Sequence, residues 1–380
     1  MSLLKPGQGI ALLLDSAPRT WTSQEEIHLR ICRRLKSLGI RPVLVYAAEL
    51  PPDIDKRLRE GGAEIEVISY QKGRFHFYQA LGRMIKDHSI SIVHVCFFDY
   101  FSLIPWLARL KGMRAIIYEE LNSGLMRATS WKAKLLQLRT LLTTWPIVRI
   151  IAVSEFVKKD LIKRGISADR ILVKYLGIDE ERFKPNPQAR ELWVREHSVQ
   201  PDELIVSTVT VLRPFKDPET IVEACAILAE RAVHARLCVA GDGALLPSLK
   251  DMTKRLRLTE RINWLGYCKD PVNLLQASDV FLLASIGEAG GLALLEAMAC
   301  GVPIIASRSG VNGEYVAEGQ TGLLANPRDP VSFADAIESV ALDRQLLRTM
   351  SANSRTRLLR EFTVDIDVEN TLRIYESVSQ

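Results

Sequence analysis

The chain has 380 residues, of which 47% are hydrophobic and 25% charged, and its formal net charge is +5. That length exceeds one typical domain and suits two, each with a core of its own. The basic excess is mild: it lacks the dense stripe of a dedicated nucleic-acid binder, and it fits anionic nucleotides or docking on an anionic membrane surface.

Strand and helix patterns alternate along the chain. In the first half, apolar runs at 10–14, 43–46, 65–68, 92–95, 115–118, 148–153 and 171–173 predict strands. Helical spacing over 23–38, 53–60, 75–86 and 103–110 separates the first five, and a helix is expected from Glu155. Pro185, Pro187 and Pro201 then punctuate a polar stretch, read as a linker with a short helix over 189–196. A second series follows, with strands at 204–209, 236–240, 262–265, 280–284, 303–306 and 322–325. Such alternation predicts the α/β class, with mostly parallel sheets covered on both faces. Two doubly wound domains facing one another would place a ligand in the cleft, at the C-terminal ends of strands.

The six cysteines, Cys32, Cys96, Cys225, Cys238, Cys268 and Cys300, show no C-x-x-C spacing and no zinc-ligand pattern with histidine. They read as small core residues in a reducing compartment. The N-terminus lacks a signal-peptide pattern, and no apolar run approaches membrane-spanning length. A cytoplasmic protein is expected, with any membrane contact peripheral. The basic and apolar stretch 126–149 is the candidate for such contact, or else an ordinary helix packed on its own domain.

The richest stretch runs from Ser285 to Gly301, S-I-G-E-A-G-G-L-A-L-L-E-A-M-A-C-G. It reads as strand end, glycine-rich turn and helix. Gly290 and Gly291 let backbone N–H groups approach a ligand closely, and the helix start from Leu292 favours an anion. Glu288 and Glu296 flank that start. Carboxylates beside a phosphate site repel the phosphate, but they suit sugar hydroxyls. Any parallel α/β protein can contain such a turn, with solvated glutamates nearby. Arg213 and Lys216, in the basic loop after strand 204–209, could balance a diphosphate or simply be solvated. His94 ends a strand, where a histidine is structural or assists at the cleft.

Taken whole, the stretch resembles the E-x7-E signature of the retaining, GT-B-fold glycosyltransferases of family 4, and the match runs on through Ala306. Lys216 matches the lysine that ends the family's basic loop, and Arg213 substitutes for an arginine that the family places at Val211. Gly241 and Gly243 resemble the family's G-x-G turn. The loop at Gly266 and Tyr267 resembles the segment bordering the nucleotide base. Gly310 and Glu314 fit its G-G-x-x-E. In the first half, 91–95, 153–155, Gly165 and 175–185 carry a thinner likeness. Two departures stand out: the first loop, 17–24, has no glycine, and Glu119, followed by Glu120, falls where many members have a substrate-side histidine.

The resemblance implies a retaining transfer of sugar from a nucleotide diphosphate sugar, UDP- or GDP-linked, to a hydroxyl acceptor. It implies a GT-B fold, with an acceptor domain over 1–184, a linker over 185–201, a donor domain over 202–363, and a last helix over 364–380 crossing back to the first. Donor contacts are expected from Glu296 to the ribose, from Glu288 to the sugar ring, and from the amides of Gly290, Gly291 and Leu292. Lys216, with Arg213, would stabilise the leaving diphosphate. His94 is a candidate catalytic residue; Glu119 and Glu120 are acceptor-side candidates. No metal or further cofactor is implied. A non-catalytic nucleotide-sugar binder or partner subunit, and an epimerase of the same architecture, are the rival readings.

Overall fold

The computed structural model describes residues 7–14, 17–69, 73–96, 103–113, 115–121, 138–197, 199–200 and 202–379. The chain divides into two compact units. The first comprises Met1–Gly177 with Val364–Gln380, and the second Ile178–Thr363.

In the first unit the described strands are β1 (Gly9–Leu14), β2 (Arg41–Tyr46), β3 (Glu64–Val67), β4 (Ile90–Cys96), β5 (Ala115–Glu120), β6 (Arg149–Ala152) and β7 (Ile171–Val173). They form one parallel sheet in the order β3-β2-β1-β4-β5-β6-β7. All six residues of β1 and all six of β5 are buried, as expected of central strands covered on both faces. The helix Ser23–Ser37 packs Ile27, Ile31 and Leu35 against the sheet, and the last helix, Val364–Val378, lies against it with Val368, Leu372 and Tyr375 in the same core.

The second unit holds β8 (Leu204–Val209), β9 (Ala235–Ala240), β10 (Ile262–Gly266), β11 (Val280–Leu283), β12 (Ile304–Ser307) and β13 (Gly322–Ala325). Their order is β10-β9-β8-β11-β12-β13, again all parallel. The winding direction reverses between β8 and β11. In open parallel sheets such a switch point, at the C-terminal ends of the two strands, is where ligands bind. The loops that leave those ends are 210–217 and 284–291, which carry Lys216 and Glu288.

The unit boundary differs from the expected one. Residues 178–184 belong with the second unit: the Ile178 amide donates to the Phe362 carbonyl at 2.9 Å, and Arg355 donates to the carbonyls of Phe183 and Glu180 at 2.8 and 3.1 Å. Nor is 185–201 a free linker. Its helix, Ala189–His197, buries Trp193 among Val199, Ile205, Cys238 and Leu274, and Arg190 pairs with Asp279. The prolines signalled a break in the strand–helix rhythm; burial of one tryptophan decided where the stretch packs.

Candidate functional site

The core of the site is the loop between β11 and the helix Leu292–Ala299. Gly287 and Gly291 have φ of 77° and 55°, left-handed values that glycine adopts without strain. Gly291 is the helix N-cap and offers no side chain, so the first-turn N–H groups have no side-chain acceptor. No acidic residue lies in that first turn, and an anion is favoured there.

The loop is held from behind by the segment after β12. The Val311 amide donates to the Glu288 carbonyl at 2.9 Å, and the Gly287 amide to Ser309 Oγ at 3.0 Å. Tyr315 donates its hydroxyl to the Gly290 carbonyl at 3.1 Å, and Ser307 Oγ donates to the Ser285 carbonyl at 2.5 Å. A Cβ on Gly310 would lie 2.3 Å from the Glu288 carbonyl oxygen, so only glycine allows this approach. Gly310 therefore acts by packing. Glu314 contributes its carbonyl to Arg357 at 2.8 Å. Tyr315 was missed in the sequence because a buried aromatic on a short helix carries no local signal.

Lys216 ends a short turn, Pro214–Lys216, beyond β8. The Ile286 amide donates to the Phe215 carbonyl at 2.7 Å, which joins the two loops. Across that join, Lys216 Nζ lies 2.5 Å from Glu288 Oε2, and the two side chains are 17% and 14% exposed. The structure thus unites the predicted phosphate-side cation with the predicted sugar-side carboxylate. Arg213 stands exposed on the same loop.

Glu296 lies on the helix one turn beyond Leu292 and is half-buried. Burial pushes its carboxyl up to about 7; Arg182 opposes the shift and Asp270 adds to it. Arg182 is itself paired with Asp270 at 3.2 Å. A carboxyl raised above its ordinary 4.5 contributes stability that is complete below pH 4.5 and lost as the pH rises through 7. Glu296→Gln should therefore leave stability unchanged near pH 4 and raise it by about 1–3 kcal/mol near pH 8 in urea unfolding. An equal gain at both values would contradict this. Arg182 was quoted in the sequence within 175–185 without a role, since its approach to Glu296 spans over a hundred residues of chain.

The other glycines are explained by packing. A Cβ on Gly241 would meet the Thr210 carbonyl oxygen at 1.9 Å, and one on Gly243 the Leu212 carbonyl oxygen at 2.4 Å. The Gly241 N–H donates to the Gly266 carbonyl at 2.8 Å. These residues let the 210–212 backbone run close to the 241–243 turn. Gly266 has φ of 69°, and Tyr267 beside it is 71% exposed.

His94, Glu119 and Glu120 lie in the first unit, in a buried polar network. His94 Nδ1 is 2.8 Å from the Tyr375 hydroxyl, and its Nε2 is 3.5 Å from Glu119. Lys174 Nζ lies 3.0 Å from Glu119 and 2.6 Å from Asp367. Burial alone would raise the Glu119 carboxyl; Lys174, with His94, overrides it and holds the group well below the ordinary carboxylate range. Glu120 faces Arg164 at 3.9 Å. Among the described residues, His94, Cys96 and Glu119 group closely enough to ligate a cation, but the Lys174 ammonium already supplies the positive charge there.

The glycine-free first loop has a physical counterpart. Thr22 caps the helix Ser23–Ser37 by accepting from the Gln24 amide, and the Glu25 carboxylate accepts from the Thr22 amide at 2.9 Å. A helix start that already holds its own carboxylate repels a further anion. Beside it is a hollow of about 160 Å³ lined by Arg19, Thr20, Gln24, Glu25 and His28, among others.

Two doubly wound units, the second with a glycine loop at its switch point and a lysine–glutamate pair across it, define a protein of the GT-B class. A family model described as glycosyl transferases group 1 matches residues 189–357, and one described as glycosyltransferase family 4 matches residues 25–182. The two matches together support a glycosyltransferase of the group 1 and family 4 type. It is 33% identical over 184 residues to the N-acetyl-alpha-D-glucosaminyl L-malate synthase of Bacillus anthracis, covering 48% of each chain. It is 28% identical over 302 residues to the UDP-Gal:alpha-D-GlcNAc-diphosphoundecaprenol alpha-1,3-galactosyltransferase of Escherichia coli, covering 78% of each. The chain thus spans about half the length of some curated relatives it matches, such as the malate synthase, and more of others. Among solved structures, Anabaena Alr3699/HepE in complex with UDP and glucose superposes with a TM-score of 0.81 at 20% identity, covering 97% of this chain and 99% of that one. At that identity the likeness carries the fold.

Proposed function

We propose that the protein transfers a sugar from a nucleotide diphosphate sugar to a hydroxyl acceptor, with retention at the anomeric carbon. The observation that carries this reading is the Lys216–Glu288 pair, 2.5 Å apart, set across the switch-point crevice beside an uncapped helix start. A cation for the leaving diphosphate and a carboxylate for sugar hydroxyls stand together there, on loops bonded to one another. The bond from the anomeric carbon to the diphosphate oxygen breaks, a bond from that carbon to the acceptor oxygen forms on the same face, and the acceptor's hydroxyl proton passes to the departing diphosphate. Lys216, with Arg213 further out, offsets the charge that gathers on the diphosphate. Glu288 binds the sugar ring, the amides of Gly290, Gly291 and Leu292 hold sugar and diphosphate, and Glu296 accepts from the ribose hydroxyls. His94 and Glu119 serve the fold of the first unit, held in its buried ion-paired network.

UDP is the favoured nucleotide, supported by the UDP complex of the Anabaena protein and by the UDP-Gal donor in the name of the E. coli relative. Glycan or glycolipid synthesis, on the cytoplasmic face of a membrane, is the setting this reading suits. Among the described residues no helix is long and apolar enough to cross a membrane. Of the stretch 126–149 expected to touch one, 126–137 lies outside the described residues.

The test is calorimetry with a panel of UDP-, GDP- and ADP-sugars on the wild type and on Glu296→Ala. One nucleotide family should bind, and the substitution should weaken it by about tenfold or more, the scale of a hydrogen bond to a charged group. A folded protein that binds none of them overturns the reading. Binding without turnover on any acceptor would favour the partner-subunit alternative.

A further inference from the structure

The hollow beside the first loop carries polar groups that the fold does not use. Its floor is the C-terminal end of the first sheet: Leu14 ends β1, Tyr46 ends β2, and the two are register partners. The winding of this sheet reverses between β1 and β4, so the hollow lies beside a second switch point, the place where open parallel sheets take ligands. One wall is the start of the helix Ser23–Ser37, with Glu25 and His28; another is the loop itself, with Pro18 and Arg19. The volume, about 160 Å³, suits a single six-membered ring. For comparison, a cavity of about 150 Å³ takes one benzene.

Two buried polar atoms in the lining are unanswered. His28 Nδ1 and the Tyr46 hydroxyl have no hydrogen-bond partner among the described residues, although His28 is 6% exposed and Tyr46 1%. Unpaired buried groups cost a fold stability, and two of them beside one cavity call for a ligand that answers them. Burial holds the His28 imidazole below its ordinary value, against the raising effect of Glu25, so the ring is neutral at pH 7. Nδ1 of a neutral imidazole donates in one tautomer and accepts in the other. A hydroxyl answers either tautomer, and it answers the tyrosine hydroxyl as well.

The charge of the lining decides which ring enters. Glu25 is 6% exposed, and the Thr22 amide and hydroxyl both bond to its Oε2, which leaves Oε1 to accept from a ligand. Arg19 is the other charged residue among the described lining, and it is exposed. A buried charge is screened far less than an exposed one, so the carboxylate sets the sign of the field in the hollow. A ring carrying phosphate there meets like charge, with no buried cation in the described lining to offset it. An uncharged ring instead offers hydroxyls that donate to Oε1, and Leu14 and Pro18 supply an apolar wall for its C–H face. The glycine-rich first loop that this chain lacks would have admitted an anion; the cap built on Glu25 turns the same place to the opposite preference.

We propose that the hollow binds one uncharged, polyhydroxylated six-membered ring through Glu25, His28 and Tyr46, and that Glu25 selects against a phosphorylated one. The acceptor role of that ring rests on the sugar-transfer reading; its binding does not. The experiment is a saturation-transfer NMR titration of the full chain, with no donor present. The probes are the methyl glycosides of glucose, galactose, mannose and N-acetylglucosamine, and the 6-phosphates of the four parent sugars. At least one glycoside should bind, and the matching phosphate should bind about tenfold more weakly or worse. Glu25→Gln, which keeps a residue able to complete the helix cap, should narrow that gap by about tenfold. Tyr46→Phe should weaken the glycoside by about threefold to tenfold without lowering the urea midpoint, because the lost hydroxyl has no partner in the fold. A merely structural tyrosine would move the midpoint and leave the titration alone. Binding of none of the four glycosides by the folded wild type overturns the proposal, as does equal binding of glycoside and phosphate. A gap unchanged in Glu25→Gln, or a Tyr46→Phe protein that binds like the wild type, overturns it too. Calorimetry with the donor panel on the same protein keeps the two readings apart: donor binding without glycoside binding sinks this proposal alone, and glycoside binding without donor binding sinks the sugar-transfer reading alone.

Discussion

Lys216→Ala should lower the turnover of the bound donor by about 10²–10³-fold, the usual loss when one preorganised group facing developing charge is removed. The residue reaches its place through two constraints. The turn Pro214–Lys216 ends at Asp217, whose φ of 49° is left-handed, and Thr220 donates its hydroxyl to the Asp217 carboxylate at 2.8 Å. The Phe215 carbonyl is then bonded to Ile286 in the partner loop. These bonds hold the ammonium beside Glu288, and in the proposed role its charge would be in position before the leaving group forms. Losing a charge that bound ground state and transition state alike would raise KM and leave kcat alone; losing one aimed at the departing diphosphate lowers kcat. Lys216→Arg should fall between wild type and alanine, since it keeps the charge but spreads it over a planar fork. Circular dichroism of both variants should match the wild type. Unchanged kcat in a folded Lys216→Ala protein would remove the residue from the chemistry.

Asp367→Ala should destabilise the chain by about 3–5 kcal/mol, the cost of stranding a buried charge. Asp367 is buried on the last helix and accepts from Lys174 at 2.6 Å, from the Gly177 amide at 2.9 Å and from Thr371 at 3.3 Å. Removing it leaves Lys174 with Glu119 alone and the Gly177 N–H without its carboxylate. Burial would by itself lower the Lys174 ammonium, and Asp367 with Glu119 instead holds it above its ordinary value. Loss of Asp367 removes the larger of those supports. The measurement is the urea midpoint at neutral pH. Lys174→Met with Asp367→Leu and Glu119→Gln, which removes all three charges of the network, should recover much of the loss, because no buried charge is then left without its partner. A cost under about 1 kcal/mol for Asp367→Ala would mean that water reaches the network.

The sequence by itself determined the α/β class, the strand–helix alternation and the glycine loop with its two glutamates. Each is a local pattern. Apolar runs bounded by turn residues form strands whatever packs on them, and a glycine at positive φ is demanded by the chain's own geometry at Gly287 and Gly291. Lys216 was legible for the same reason, as a cation at a strand end in a recognisable motif. What only the tertiary structure decided involves partners far apart in the chain. The clamp of Tyr315 on Gly290 and the approach of Arg182 to Glu296 have no sequence period. The fate of His94 and Glu119 depended on a lysine 55 residues beyond Glu119 and a helix at the far end of the chain, which bury both in an ion-paired network. The stretch 185–201 looked like a linker until Trp193 found a core. Local patterns specify elements because backbone sterics and alternation act over a few residues; burial and charge pairing act between elements, and only the folded chain brings those together.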